Sequence, residues 1–159
     1  MIKKLINKLL GKDQAQAASG KRTEIPASIH RINPQLVDER AINVVRTLKQ
    51  GGYEAYIVGG AVRDLLVNGQ PKDFDVATSA TPEEVRALFR RSRIIGRRFK
   101  IVHVMSGPET IEVSTFRAMQ AAESTETDEH GRVLRDNVFG SMAEDATRRD
   151  FTVNALYYN

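Results

Sequence analysis

Cysteine is absent from the 159 residues, which excludes disulfides and thiolate metal sites and fits a reducing, cytoplasmic compartment. No apolar stretch approaches the roughly 18 residues that span a bilayer. The opening MIKKLINKLLGK is too short and too often broken by lysine to cross one. It also lacks the apolar run and small-residue cleavage site of a secretory signal. Neither G-x-x-x-x-G-K-[ST] nor G-x-G-x-x-G occurs, so neither a P-loop nor a dinucleotide fold is indicated. No internal repeat is visible. The charge excess is mild, with 24 Lys and Arg against 20 Asp and Glu and a formal net charge of +4. That tilts only slightly towards polyanionic partners.

What remains is the composition of an ordinary globular chain, 41% hydrophobic and 28% charged, of a length for one domain with tails. Residues 1–28 read as a basic leader and flexible linker, and residues 29–159 as the folded domain. In the leader, Ile2, Leu5, Leu9 and Leu10 would share one helix face with Lys3, Lys4 and Lys8 elsewhere. That pattern suits an amphipathic helix touching a membrane surface or a protein partner, and equally a solvated leader. DQAQAASGKRTEIPAS (13–28) has no apolar periodicity and reads as a linker.

Leu36, Val37, Ala41, Val44, Val45 and Leu48 recur at helical spacing, and Gly51-Gly52 stops that helix. YEAYIV (53–58) is β-branched and aromatic, hence a strand. A short helix, AVRDLLV, a turn, NGQP, and a second strand, DFDVAT, follow. Thr81 with Glu84 forms a capping box that opens a helix over PEEVRALFRR. SRIIGRRFKIVHVMSG and ETIEVSTFRAM read as two strands of a hairpin around GPE. The polar run 120–137 reads as a mobile loop. Ser141 with Glu144 makes a second capping box, opening a helix through AEDATRRDFTVNAL. The order predicts a mixed α/β fold around a small sheet.

Asp73 and Asp75 stand at i and i+2 of an expected strand, so both carboxylates project from one face while Phe74 points into the core. Such a pair is relieved by a hard divalent cation, or else it is two acids on a solvated edge. Glu112, alternating with Ile111 and Val113, offers a third carboxylate from a neighbouring strand. Three such groups suit two metal ions about 3.5–4 Å apart. Gly59-Gly60, between strand and helix, would let backbone amides approach a phosphate, with Arg63 one turn on. Arg149, Asp150 and Asn154 would lie within about a turn of one helix and could hold a triphosphate and a sugar hydroxyl. His30 and His103 have no ligand spacing around them and read as structural or solvated. Glu144 and Asp145 open their helix and read as capping and dipole residues.

Taken together, IVGGAVRDLL…KDFDVAT, EVSTFR and EDATRRDFTVNAL resemble the class II nucleotidyltransferases, the bacterial tRNA CCA-adding enzymes and poly(A) polymerases. The likeness covers nearly all of residues 53–159. IIGRRFKIVHVM and LRDNVFGSMAEDATRRDFTVNALYY are more similar to the poly(A) polymerase branch.

The resemblance implies the nucleotidyltransferase fold of the DNA polymerase beta superfamily, a small mixed sheet flanked by helices. It implies Asp73, Asp75 and Glu112 as catalytic ligands of two Mg²⁺ ions, with Mn²⁺ as a substitute. It also implies triphosphate and nucleotide contacts from Gly59, Gly60, Arg63, Arg149, Asp150 and Asn154, with Arg117 as a further phosphate or structural contact. The implied reaction is polyadenylation in RNA processing, the template-independent attack of an RNA 3′-hydroxyl on the α-phosphate of ATP with release of pyrophosphate. CCA addition to tRNA is the second reading, and a non-catalytic RNA- or partner-binding module the third. Family members continue into helical regions beyond such a head, so weak or no polymerase activity is expected from these residues alone.

Overall fold

The computed structural model describes residues 22–97, 99–118 and 139–159, together with strand residues Glu126–Thr127 and Val133–Arg135. The leader falls outside them, as does most of the run 120–137. A helical turn, α1 (Ala27–His30), overlaps the end of the expected linker, and a 3₁₀ turn follows at Pro34–Leu36. Asp38 caps α2 (Glu39–Gln50) by accepting from the Arg40 backbone N–H, and Ala41, Val44 and Leu48 are its buried stripe. Leu36 and Val37 precede the helix, because the cap at Asp38 starts it after them.

Strand β1 (Ala55–Val58) leads through Gly59 into α3 (Gly60–Leu66), then β2 (Asp75–Thr78) and α4 (Pro82–Leu88). Three strands follow, β3 (Ser92–Ile95), β4 (Ile101–Ser106) and β5 (Glu109–Thr115). The chain then forms a small ladder of β6 (Glu126–Thr127) with β7 (Val133–Arg135), within the segment expected as a loop. Helix α5 (Met142–Thr147), a 3₁₀ turn at Thr152–Asn154 and β8 (Tyr157–Tyr158) complete it.

The six-stranded sheet has the order β3-β4-β5-β2-β1-β8. Only the β2–β5 pair in it is parallel, and the other four pairs are antiparallel. One face buries Ala55, Ile57, Val76, Val102, Val104, Ile111 and Val113 against Ala41, Val44 and Leu48 of α2 and Val85 of α4. The opposite face carries a smaller cluster, in which Val58, Ala77 and Phe116 pack with Tyr56, Met142 and Tyr157. Asp75, Glu112, His103 and Arg93 line the same face, alongside Ile101 and Ile95. Both capping boxes form as the sequence indicates. Among the described residues no helix is long and apolar enough to cross a membrane.

Three expectations are corrected. The stretch expected as one strand from Ser92 onwards is two, broken at Gly96, whose φ of 99° belongs to glycine and where a Cβ would lie 2.0 Å from the Phe99 carbonyl oxygen. The α4 helix stops at Leu88, since Phe89 adopts φ −117°, ψ 101° and packs against the core. The last helix ends at Thr147, and Phe151 is extended. Beyond it, Thr152, Val153 and Asn154 are weak helix formers, while Arg148 and Arg149 turn back onto Asp145.

Candidate active site

Asp75 opens β2, and the parallel register sets it beside Glu112 of β5. Phe74 is buried as alternation requires, so Asp75 faces the polar side of the sheet. Asp73 lies two residues ahead of the strand, outside the ladder. Burial pushes the Asp75 carboxyl up, and the negative charges of Glu112 and Asp73 add to that, while Arg149 opposes it. The three carboxylates therefore share one electrostatic neighbourhood. Among the described residues, however, no three acidic or histidine side chains stand together as a ready metal-ligand cluster. Asp73 opens instead onto a cleft of about 270 Å³ with Asp38, Lys72, Glu109 and Thr110. The donor chemistry fits a hard divalent cation, since all three groups are carboxylates and Asp75 bears the repulsion a cation would relieve.

At the glycine turn, one of the two amides expected to approach a phosphate is engaged within the chain. Gly59 has φ 75°, ψ −140°, a conformation for glycine, and its N–H donates to the Leu156 carbonyl at 3.3 Å. Two guanidinium groups lie alongside these glycines, at distances a side-chain carbon would also tolerate. A Cβ at Gly60 would lie 3.4 Å from Arg63 Nη2, and one at Gly59 would lie 3.9 Å from Arg149 Nη1. Arg63 Nη1 donates to Asn154 Oδ1 at 3.3 Å, and Arg149 Nη1 donates to the Asn154 carbonyl at 3.3 Å. Arg63, Arg149 and Asn154 thus meet around the turn, although Asn154 is not on the helix expected to carry it.

Asp145 holds this arrangement in place. It is 1% exposed and accepts from Arg148 Nε and Nη2, Arg149 Nε and Nη2, the Tyr157 hydroxyl at 2.6 Å and the Arg117 backbone N–H. Burial alone would push its carboxyl up, but the Tyr157 hydrogen bond and the charges of Arg149 and Arg148 hold it below the usual range. Arg149 also lies 5.5 Å from the Tyr157 ring centroid. Sequence reasoning gave Asp145 only a capping role. The available signal was its spacing, i to i+3 and i+4, from two consecutive arginines. Glu144 does cap, closing the box with Ser141.

The side chains of two other expected contacts meet local partners. Asp150 is exposed and accepts from the neighbouring Phe151 N–H. Arg117 stacks its guanidinium 4.4 Å from the Phe99 ring centroid. His103, expected to be isolated, faces Glu112 with Nε2 3.7 Å from Oε2. His30 is structural, accepting from the Ile32 N–H and packing edge-on against Tyr158.

A mixed sheet with adjacent carboxylates on its parallel pair, and paired arginines at a glycine turn, is the architecture of a nucleotidyltransferase. Residues 55–159 match the family described as Poly A polymerase head domain, and the chain belongs to that family. Poly(A) polymerase I of Salmonella typhi is 50% identical over 161 residues, covering 96% of this chain and 35% of that protein. A CCA-adding enzyme of Geobacillus sp. (strain WCH70) is 43% identical over 118 residues, covering 74% of this chain and 28% of that protein. The crystal structure of Bacillus stearothermophilus CCA-adding enzyme in complex with CTP superposes with a TM-score of 0.60 at 38% identity, over 80% of this chain and 28% of that one. The chain spans about a third of the length of the curated relatives it matches.

Proposed function

We propose that residues 29–159 form the catalytic head of an RNA 3′-adenylyltransferase acting in RNA processing. The observation that carries this is the placement of Asp75 beside Glu112, with Arg149 close enough to act on the Asp75 charge. Asp73, Asp75 and Glu112 would hold Mg²⁺, or Mn²⁺ in its place, and the bound ions supply Lewis acidity to an in-line displacement.

The chain's own residues do the positioning. Arg63 and Arg149 present guanidinium donors to the triphosphate of ATP beside the Gly59-Gly60 turn. Asn154, gripped by both arginines, is set to meet the sugar. The RNA 3′-hydroxyl attacks the α-phosphate from the Glu112 side, the new phosphodiester forms, and the α–β bond breaks to release pyrophosphate. Fixed positive charge on the β- and γ-phosphates favours that departure.

Calorimetry with Mg²⁺ and a non-hydrolysable ATP analogue tests the reading. Binding should require Mg²⁺ and disappear in the Asp73→Ala, Asp75→Ala double variant, and unchanged binding there would overturn the metal assignment. CCA addition is favoured as a second reading by the 43% identity to a CCA-adding enzyme. CTP competing as well as ATP at the same site would favour that branch.

A further inference from the structure

The sheet carries a row of functional side chains beyond the two central strands. Asp75 lies beside Glu112, Glu112 is opposite His103 on β4, and His103 is opposite Arg93 on β3. Directly paired residues share a face, and alternation agrees, since Val102, Val104, Ile111 and Val113 occupy the other face. With neighbouring strands about 4.8 Å apart, Arg93 sits roughly 10 Å to the side of Glu112.

Strand β3 is the edge of the sheet, and the segment around it is unusually basic. RRSRIIGRRFK (90–100) contains six basic residues and no acidic one. Arg90, Arg91, Arg93 and Arg97 are exposed, and their side chains make no hydrogen bond or ion pair among the described residues. Around the glycine turn, by contrast, Arg63, Arg148 and Arg149 all bind a carboxylate. An edge strand needs a charge to deter sheet pairing. That need does not explain four unpaired guanidiniums, or the alignment of one of them with the carboxylate row.

We propose that the RNA 3′ end lies along this row. Its hydroxyl reaches Glu112 and Asp75, its preceding phosphates pass over His103 and Arg93, and its body continues onto the exposed arginines of the β3 edge. The polarity follows from charge: carboxylates repel phosphates and tolerate a hydroxyl, whereas guanidinium groups bind phosphates. This inference rests on the adenylyltransferase reading for the position of the hydroxyl.

The test is fluorescence anisotropy of the 159-residue chain with a single-stranded oligoadenylate, without nucleotide, across a salt series. Arg93→Glu should weaken binding about tenfold and reduce the log–log salt slope by at least about 0.7, the share of one single-strand phosphate contact. Arg97→Glu should act in the same direction. Arg86→Glu makes the same charge change on α4, against the other face, and should cost less than about twofold. No binding by the wild-type chain, or equal losses at Arg93 and Arg86, would overturn the track. Polarity is read by photocrosslinking with 4-thiouridine, expected at β4–β5 from the 3′ terminus and at residues 90–97 from upstream positions, and the reverse order would overturn it. Failure of Mg²⁺-dependent ATP-analogue binding would count against the adenylyltransferase reading alone, because the RNA affinity is scored without nucleotide.

Discussion

Asp145 shows how much one buried carboxylate can organise. It ties the end of β5 to two arginines and to Tyr157 on β8, so local and long-range contacts converge on two oxygens. Removing it would leave Arg149, 17% exposed, and Arg148 without their carboxylate. Breaking one partner of a buried ion pair costs about 3–5 kcal/mol. Asp145→Ala is therefore expected to lower the unfolding free energy by about that amount in urea titrations. It should also weaken ATP-analogue binding at temperatures where the variant is still folded, because Arg149 loses its orientation over Gly59. A variant that melts normally would show that the network contributes little.

At the scale of elements, the β3–β4 connection is the most exacting turn. Gly96→Ala would meet both the positive φ and the Phe99 carbonyl, with an expected cost of about 1–3 kcal/mol, read as a drop in Tm. The same turn shows why part of the fold was not legible in sequence. Ile94, Ile95, Ile101 and Val102 form an almost continuous β-branched run around GRRFK, and nothing local marks a reversal there except one glycine. Capping boxes were legible because they are local: Thr81 and Ser141 each need only a Glu three residues on. Strand alternation made the outward-facing Asp75 legible, but not the departure of Asp73 from the strand. The end of the last helix was not legible, because Arg149 and Asn154 are drawn out of it by contacts to Asp145 and Arg63 that exist only in the folded chain. Arg149 and Asn154 were expected near each other on one helix, whereas they meet at the glycine turn through the Asn154 carbonyl.

For the molecule as a whole, several carboxyls are tuned in the same direction. Asp38 is lowered by its Arg40 hydrogen bond, Glu84 by the Thr81 backbone and Glu144 by the Ser141 backbone. Asp145 is lowered by Tyr157 and its arginines against the effect of burial. Each group favours folding above its unfolded value, near 4, and that contribution is lost as pH falls through the lower folded value. Asp75 is shifted upward and runs the other way, alone among the carboxyls of the described residues. Thermal melts should therefore show a plateau between about pH 5 and 8 and a fall in Tm below about pH 4. A Tm that rises on acidification would contradict this balance.

The parallel β2–β5 ladder has a consequence for how the chain comes to possess a site at all. Asp75 and Glu112 are 112 − 75 = 37 residues apart in sequence, whereas β4 and β5 are joined by two residues. Local hairpins close on microsecond timescales, and pairings of high sequence separation wait on a larger loss of chain entropy. The two carboxylates become neighbours only when that slow, non-local pairing closes. A partly folded chain can hold its hairpins and still lack the Asp75–Glu112 pair, so the proposed centre would arise only as folding completes.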